Sequence, residues 1–183
     1  MKTMKRVLLL SLGFCLLSLA GCSEEASNPS ASEPPNPSSA PAVDGSKYVL
    51  TAEPEGAGDV IKVRNEAADG EDVVIVGRIG GSANPWIEGR AAFSIVDGSL
   101  KACSDIEGDT CPIPWDYCCE TPKLPTATAL VKIVDEGGNL VKADARELLR
   151  VKELSTVVVK GKAKRDDAGN LTVLASGVFI KKK

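Results

Sequence analysis

The sequence contains no histidine, and this absence excludes more chemistry than any other feature of its composition. General acid–base catalysis by histidine, activation of a serine or cysteine nucleophile by histidine, and metal binding by histidine are therefore all excluded. It also lacks a G-x-S-x-G elbow, a P-loop and any recognisable pair of catalytic carboxylates. We therefore predict that the protein is not an enzyme.

Aromatic residues are scarce, at 4% of the chain, so the core must be built from Val, Leu, Ile and Ala. Apolar residues still make up 43% of the 183 residues, which suits one globular domain with appendages. Three of the 22 basic residues precede Cys22, so the chain from Cys22 onward has 19 basic and 25 acidic residues, a net charge of −6. A weakly acidic chain is a poor partner for nucleic acid, and we expect none.

The N-terminus has the pattern of a secretory signal. Three basic residues lie within residues 1–6, and residues 7–20 form an apolar run that is too short for a comfortable membrane span. The run ends in LAGC at residues 19–22, which resembles the lipobox of bacterial lipoproteins. This resemblance implies cleavage before Cys22, lipid such as palmitate on that residue, and a location in the cell envelope facing the periplasm or the exterior.

The chain divides into three parts by composition. We predict a signal peptide at residues 1–21 and a disordered, lipid-anchored tether at residues 22–46, which are rich in Ser, Pro and Ala. A folded domain then occupies residues 47–183. Its partners would be the membrane, through the anchor, and an unknown envelope protein, glycan or small ligand.

Hydrophobic periodicity within the domain predicts a mainly β fold. A short amphipathic helix is expected at residues 54–68, with Ala57, Val60, Ile61, Arg64 and Ala67 on one face, and a second at residues 144–154, capped by Asp144 with Glu147. Five strands are expected at residues 72–79, 90–96, 126–134, 156–163 and 171–180.

The order of these elements resembles the OB-fold, a five-stranded barrel with one helix between its third and fourth strands. The resemblance also extends to uncharacterised envelope lipoproteins that carry a CP-x-PWDYCC loop, found here at residues 111–119. It implies a barrel with a short N-terminal helix and a cysteine-rich insertion between strands two and three. An open-sheet α+β domain is the alternative.

The insertion holds Cys103, Cys111, Cys118 and Cys119, spaced as C-x7-C-x6-C-C. In an oxidising compartment this pattern favours two disulfides that join Cys118 and Cys119 to Cys103 and Cys111, in an order that the spacing leaves open, and no cofactor. The alternative is a site in which all four thiolates bind zinc or another thiolate-bound metal. A redox-active dithiol is a third hypothesis, although the sequence has no thioredoxin-like C-x-x-C.

Three aromatic residues are candidates for ligand contact. Trp86 is expected in the loop between strands one and two, and Trp115 and Tyr117 lie in the cysteine insertion. Aromatic rings near one rim of a barrel can stack on a base, a sugar or a partner side chain. The alternative is that these residues pack the loops against the barrel. The leading interpretation is a noncatalytic, membrane-anchored binding module, with a metal-binding lipoprotein as the alternative.

Overall fold

Strands rich in β-branched residues form most of the folded chain. The computed structural model describes residues 43–182. The predicted signal peptide, Cys22 and the tether as far as residue 42 therefore lie outside the described residues. A 3-10 turn at Gly45–Tyr48 begins two residues before the predicted domain boundary. Within residues 43–182, no helix combines the length and the hydrophobicity that a membrane crossing requires.

Five long strands close into a ring. The strands are β1 Gly58–Asp59, β2 Asp72–Ile79, β3 Ala92–Val96, β4 Thr128–Ile133, β5 Thr156–Arg165 and β6 Leu171–Ile180. In the ring, β2 pairs with β3, β3 with β4, β6 with β5, and β5 with β2, all antiparallel, whereas β4 pairs with β6 in parallel. The short strand β1 lies outside the ring, parallel to β2. This strand order is that of the OB-fold and confirms the predicted barrel.

The barrel interior is aliphatic, as the composition requires. Alternate residues of β2 point inward, and Ile75 and Ile79 are fully buried there. Phe93 and Ile95 of β3 join the same core together with Ala91, which directly precedes the strand, as the predicted face requires. A β-bulge between Lys160 and Gly161 bends β5, where a side chain at position 161 would meet the carbonyl oxygen of Leu174.

Both predicted helices exist but are shorter than the sequence suggested. Helix α1 is Val60–Glu66, because Gly56 has a positive φ and residues 58–59 form β1 instead. Val60 and Val63 are buried, whereas Ala57 is exposed, so the predicted face was partly wrong. Helix α3 is Ala145–Leu149 and lies between β4 and β5.

Helix α3 begins and ends on recognisable signals. The Asp144 carboxylate accepts a hydrogen bond from the backbone N–H of Arg146 at 2.8 Å, where the predicted capping box invoked Glu147. The helix stops because Arg150 adopts a left-handed conformation, with φ 55°. Its buried Leu148 and Leu149 complete the core of the barrel.

The cysteine insertion occupies the predicted place, after β3 and before β4. It contains two 3-10 turns, Cys103–Asp105 and Cys118–Glu120, and the short helix α2, Leu124–Ala127. Its buried residues form a second apolar cluster beside the barrel core. The cluster contains Val96, Leu100, Ala102, Tyr117 and Ala127, with Ile61, Leu124 and Leu154 packed against it.

Candidate metal site in the cysteine insertion

The insertion contacts the end of β2 in two ways: an ion pair joins two side chains, and a buried ring packs against a glycine. Tyr117 is 0% exposed, and its ring lies so close to Gly80 that a Cβ there would be 2.7 Å from its Cε2 atom. Arg78 of β2 forms an ion pair with Asp105. The Asp105 carboxylate also accepts the Ala102 N–H at 3.1 Å, which closes the first turn. The start of the insertion is therefore fixed to a barrel strand.

Backbone hydrogen bonds bring the first and third cysteines of the insertion together. The Cys103 N–H donates to the Asp116 carbonyl at 2.8 Å, and the Ser104 N–H donates to the Pro114 carbonyl at 2.9 Å. The indole N–H of Trp115 donates to the Ala83 carbonyl at 3.0 Å, which fastens the returning segment to the β2–β3 loop. Cys118 consequently lies beside Cys103, although 15 positions separate them.

Three of the four thiols form a compact group. The Sγ atoms of Cys103, Cys111 and Cys118 all lie within 4.8 Å of one another, and those of Cys103 and Cys118 are 3.3 Å apart. Around a tetrahedral zinc with Zn–S bonds of about 2.3 Å, neighbouring sulfurs are about 3.8 Å apart. A disulfide instead needs about 2.05 Å. All four cysteines are free thiols, and the three-sulfur spacing resembles a metal site more closely than a bridge.

Cys119 lies at the edge of this group. Its Sγ is 4.0 Å from that of Cys118 and 3.8 Å from Oδ2 of Asp109. Oδ1 of the same Asp109 accepts the Cys111 N–H at 2.6 Å. Asp109 therefore contacts both the Cys111 backbone and the Cys119 thiol, while Cys103 and Cys118 have sulfurs 3.3 Å apart. If bridges formed, this arrangement would favour Cys103–Cys118 and Cys111–Cys119, an order that the spacing left open.

The electrostatic environment favours a cation. Residues 103–120 contain five acidic residues and no basic one.

Burial is the main factor that raises the pKa of Cys103, which is 2% exposed, to about 12. For Cys118, the hydrogen bond with Cys103 lowers the pKa, but desolvation and the neighbouring Cys119 and Cys111 thiols outweigh it and the pKa is raised. Reactive redox thiols have lowered pKa values in electropositive surroundings, so the redox-dithiol hypothesis finds no support here.

Comparisons with known proteins supply no assignment for this site. No protein-family model matches the chain, and no curated protein matches it. Among solved structures, the OBody AM1L10 bound to hen egg-white lysozyme resembles the chain at 13% identity and a TM-score of 0.39. The match covers 73% of this chain and 99% of that one. So weak a likeness carries no argument. The OB-like character of the barrel is shown by the order in which its strands pair.

Two of the three candidate ligand-contact aromatics are buried. Trp86 is 5% exposed, packs against Phe93 with ring centroids 5.8 Å apart, and donates its indole N–H to Glu153 at 2.6 Å. The Arg146 guanidinium lies 5.6 Å from the centre of the Trp86 ring. Tyr117 is buried in the second cluster. Neither ring offers a face to a ligand, and this geometry favours the packing alternative for both; Trp115 is half-buried and keeps some exposure.

The described surface also contains a depression away from these residues. Its volume is about 320 Å³, and its lining on the outer face of β2, β5 and β6 includes Val74, Lys160, Lys162 and Leu174. None of the cysteines or candidate aromatics lines it. We assign it no ligand, because nothing in the described structure indicates what would cover it.

Two residues that support the cysteines or the insertion were not predicted from the sequence. Asp109 supports two of the cysteines, and only its place two residues before Cys111 in an Asx turn could have indicated this. Asp97, which is 3% exposed, accepts the Ile61 N–H at 2.8 Å and the Ser99 hydroxyl at 2.6 Å. Asp97 thereby ties the beginning of α1 to the beginning of the insertion, and the sequence indicated only a turn there.

Proposed function

We propose that this chain is a noncatalytic, lipid-anchored protein of the bacterial cell envelope that binds a soft metal ion, zinc first, through Cys103, Cys111 and Cys118. The observation that carries the proposal is the approach of three thiol sulfurs to within 4.8 Å of one another. Thiolate sulfur selects zinc and Cu⁺ over hard cations such as Mg²⁺ and Ca²⁺. The anchor is supported by the lipobox at residues 19–22.

The surroundings of the cysteines support a metal rather than an organic ligand. Of the five carboxylates of residues 103–120, Asp105 pairs with Arg78 and Glu120 with Lys123, and the other three give the segment a net negative charge that attracts cations. Trp86 and Tyr117 are buried, so a sugar or a base finds no pair of exposed rings to stack on. In the described residues, these three cysteines are the one group of histidine, cysteine or carboxylate side chains with ligand atoms close enough to share an ion.

The ion would also have a structural consequence. Cys103 is buried and Cys118 is exposed. A bound ion would therefore link a buried position of the insertion to an exposed one. Metal–thiolate bonds formed in this way add their free energy to the ordering of the segment that supplies them. The barrel core is built from other residues and does not require the ion.

The test is metal analysis and thiol titration of the full chain, purified in detergent from the envelope without reductant or chelator. We expect about one equivalent of zinc, released together with reactive thiols when a strong chelator is added. Cys118→Ser should abolish the bound zinc while the barrel still unfolds cooperatively, since Cys118 is exposed and contributes nothing to the core. A protein with no metal and no free thiol would overturn the proposal and support the two-disulfide hypothesis instead.

A further inference from the structure

We infer that the site supplies three protein thiolates, from Cys103, Cys111 and Cys118, and leaves a fourth coordination position open to an exchangeable ligand from solvent, such as water or a small thiol. The inference rests on the proposed metal-binding function and makes it more specific. It excludes Cys119 from the ligand set that the sequence suggested.

The direction of the Cys119 side chain is the first argument. Cys118 and Cys119 are consecutive residues at the start of the 3-10 turn Cys118–Glu120. A 3-10 helix has about three residues per turn, so consecutive side chains point about 120° apart. When Cys118 points at the other two thiols, Cys119 points to the side, and its Sγ hydrogen-bonds Asp109 instead.

The spacing of the sulfurs agrees with this direction. Cys119 is 4.0 Å from Cys118 but does not belong to the group whose ligand atoms all lie within 4.8 Å of one another. Asp109 is itself held in place by the Cys111 N–H, so the Cys119 thiol has a fixed partner outside the group. Bringing Cys119 into the site would require the loss of that hydrogen bond and a change in the 3-10 turn.

The burial of the three ligands shows which side is open. Cys103 is buried, Cys111 is half-buried and Cys118 is exposed. The sulfurs therefore form a shallow cup that is closed at the buried Cys103 and open to solvent at Cys118. Structural zinc sites are closed by four protein ligands, whereas sites that exchange a ligand keep three and an open position. The cup belongs to the second kind.

Cobalt substitution tests this count. Tetrahedral Co²⁺ gives a thiolate-to-metal charge-transfer band whose intensity follows the number of bound thiolates. The full chain, reduced with a phosphine that contains no thiol, is titrated with Co²⁺ alone. We expect one equivalent to bind, and we expect a small thiol such as 2-mercaptoethanol to raise the band by about one third by entering the fourth position.

Cys119→Ser and Cys111→Ser are the matched variants. We expect Cys119→Ser to keep the wild-type band and its response to the added thiol. Cys111→Ser should lose about one third of the band or all of the bound ion. A closed four-cysteine site would give the opposite result, with no response to 2-mercaptoethanol and about a quarter of the band lost in Cys119→Ser. That result overturns the open site alone, whereas a wild-type chain that binds neither Co²⁺ nor Zn²⁺ overturns the proposed function itself.

Discussion

Gly80→Ala should detach the cysteine insertion from the barrel. The new Cβ would lie 2.7 Å from Cε2 of Tyr117, which is about 0.7 Å closer than the 3.4 Å at which ordinary contact begins. The ring cannot retreat easily, because Tyr117 is 0% exposed and packs against the second apolar cluster. Overpacking of this kind costs about 1–3 kcal/mol in the free energy of unfolding.

The assay is thermal unfolding of the full chain, followed by circular dichroism. A loss of about 1–3 kcal/mol lowers the Tm by about 4–12 °C in a domain of this size. Gly98→Ala is the matched control, because Gly98 lies in the same insertion, has no atom within 4 Å of its added Cβ and lacks a positive φ. It should change the Tm little or raise it slightly. If Gly80→Ala and Gly98→Ala unfold at the same temperature, the contact between Gly80 and Tyr117 does not hold the insertion and the reasoning fails.

Three further predictions concern the anchor, a buried carboxylate and the oxidised protein. Cys22→Ala should block palmitate labelling and membrane retention of the processed chain; a variant that still labels would contradict the lipobox interpretation. Asp97→Ala should cost about 1–3 kcal/mol, because it leaves the Ile61 N–H without its acceptor. Burial raises the pKa of Asp97, but the hydrogen bonds from Ile61 and Ser99 outweigh burial and lower this pKa below 3.8. The stabilisation from the Asp97 carboxylate is therefore complete above about pH 4 and declines as the pH falls further. Denaturant unfolding between pH 7 and pH 2.5 checks the sign, since the difference between wild type and variant should shrink only at the acidic end. In oxidised protein, non-reducing peptide mapping should find Cys103–Cys118 as the first bridge, because their sulfurs are 3.3 Å apart; a first bridge from Cys103 to Cys119 would refute this.

The barrel could be predicted because its strands are long and their side-chain pattern is local. The limits of β2 and β6 coincide with the predicted residues 72–79 and 171–180. Both segments are long runs rich in β-branched and other apolar residues, which lie largely in alternation on a buried and a partly exposed face. The order of elements then left few topologies, and the OB-like ring was one of them. Strand β5 extends two residues further than predicted, since Arg165 still pairs with Leu171.

The start of helix α1 and the position of Arg165 depend on partners that are distant in sequence. Helix α1 receives a hydrogen bond acceptor for its first turn from Asp97, 36 residues after Ile61, and no local motif encodes that. Arg165 is the last residue of β5. Its guanidinium donates to the Ala67 carbonyl at 2.9 Å, beyond the end of α1. Propensity arguments cannot foresee such contacts, because they form only once the barrel has closed.

The arrangement of the four thiols could not be predicted from the sequence, for a related reason. The spacing C-x7-C-x6-C-C treats the four cysteines alike, whereas the fold distinguishes them by direction and burial. Two 3-10 turns orient Cys103 and Cys118 toward each other, and an Asx turn at Asp109 positions Cys111. The difference between Cys118 and Cys119 comes from the rotation of a single residue step in a 3-10 turn. No statement about spacing could separate these two neighbours.

Three of the contacts that hold the insertion come from one short part of the barrel. Gly80 admits the Tyr117 ring, Arg78 pairs with Asp105, and the Ala83 carbonyl accepts the Trp115 indole N–H, so all three lie at the end of β2 or just after it. Most buried residues of the insertion belong to the second apolar cluster and not to the barrel core, although Val96 of β3 contributes to that cluster. An ion bound by Cys103, Cys111 and Cys118 would therefore change the order of residues 103–119 while β2 stays in the ring. The proposed ion would accordingly bind to the insertion or leave it without unfolding the barrel.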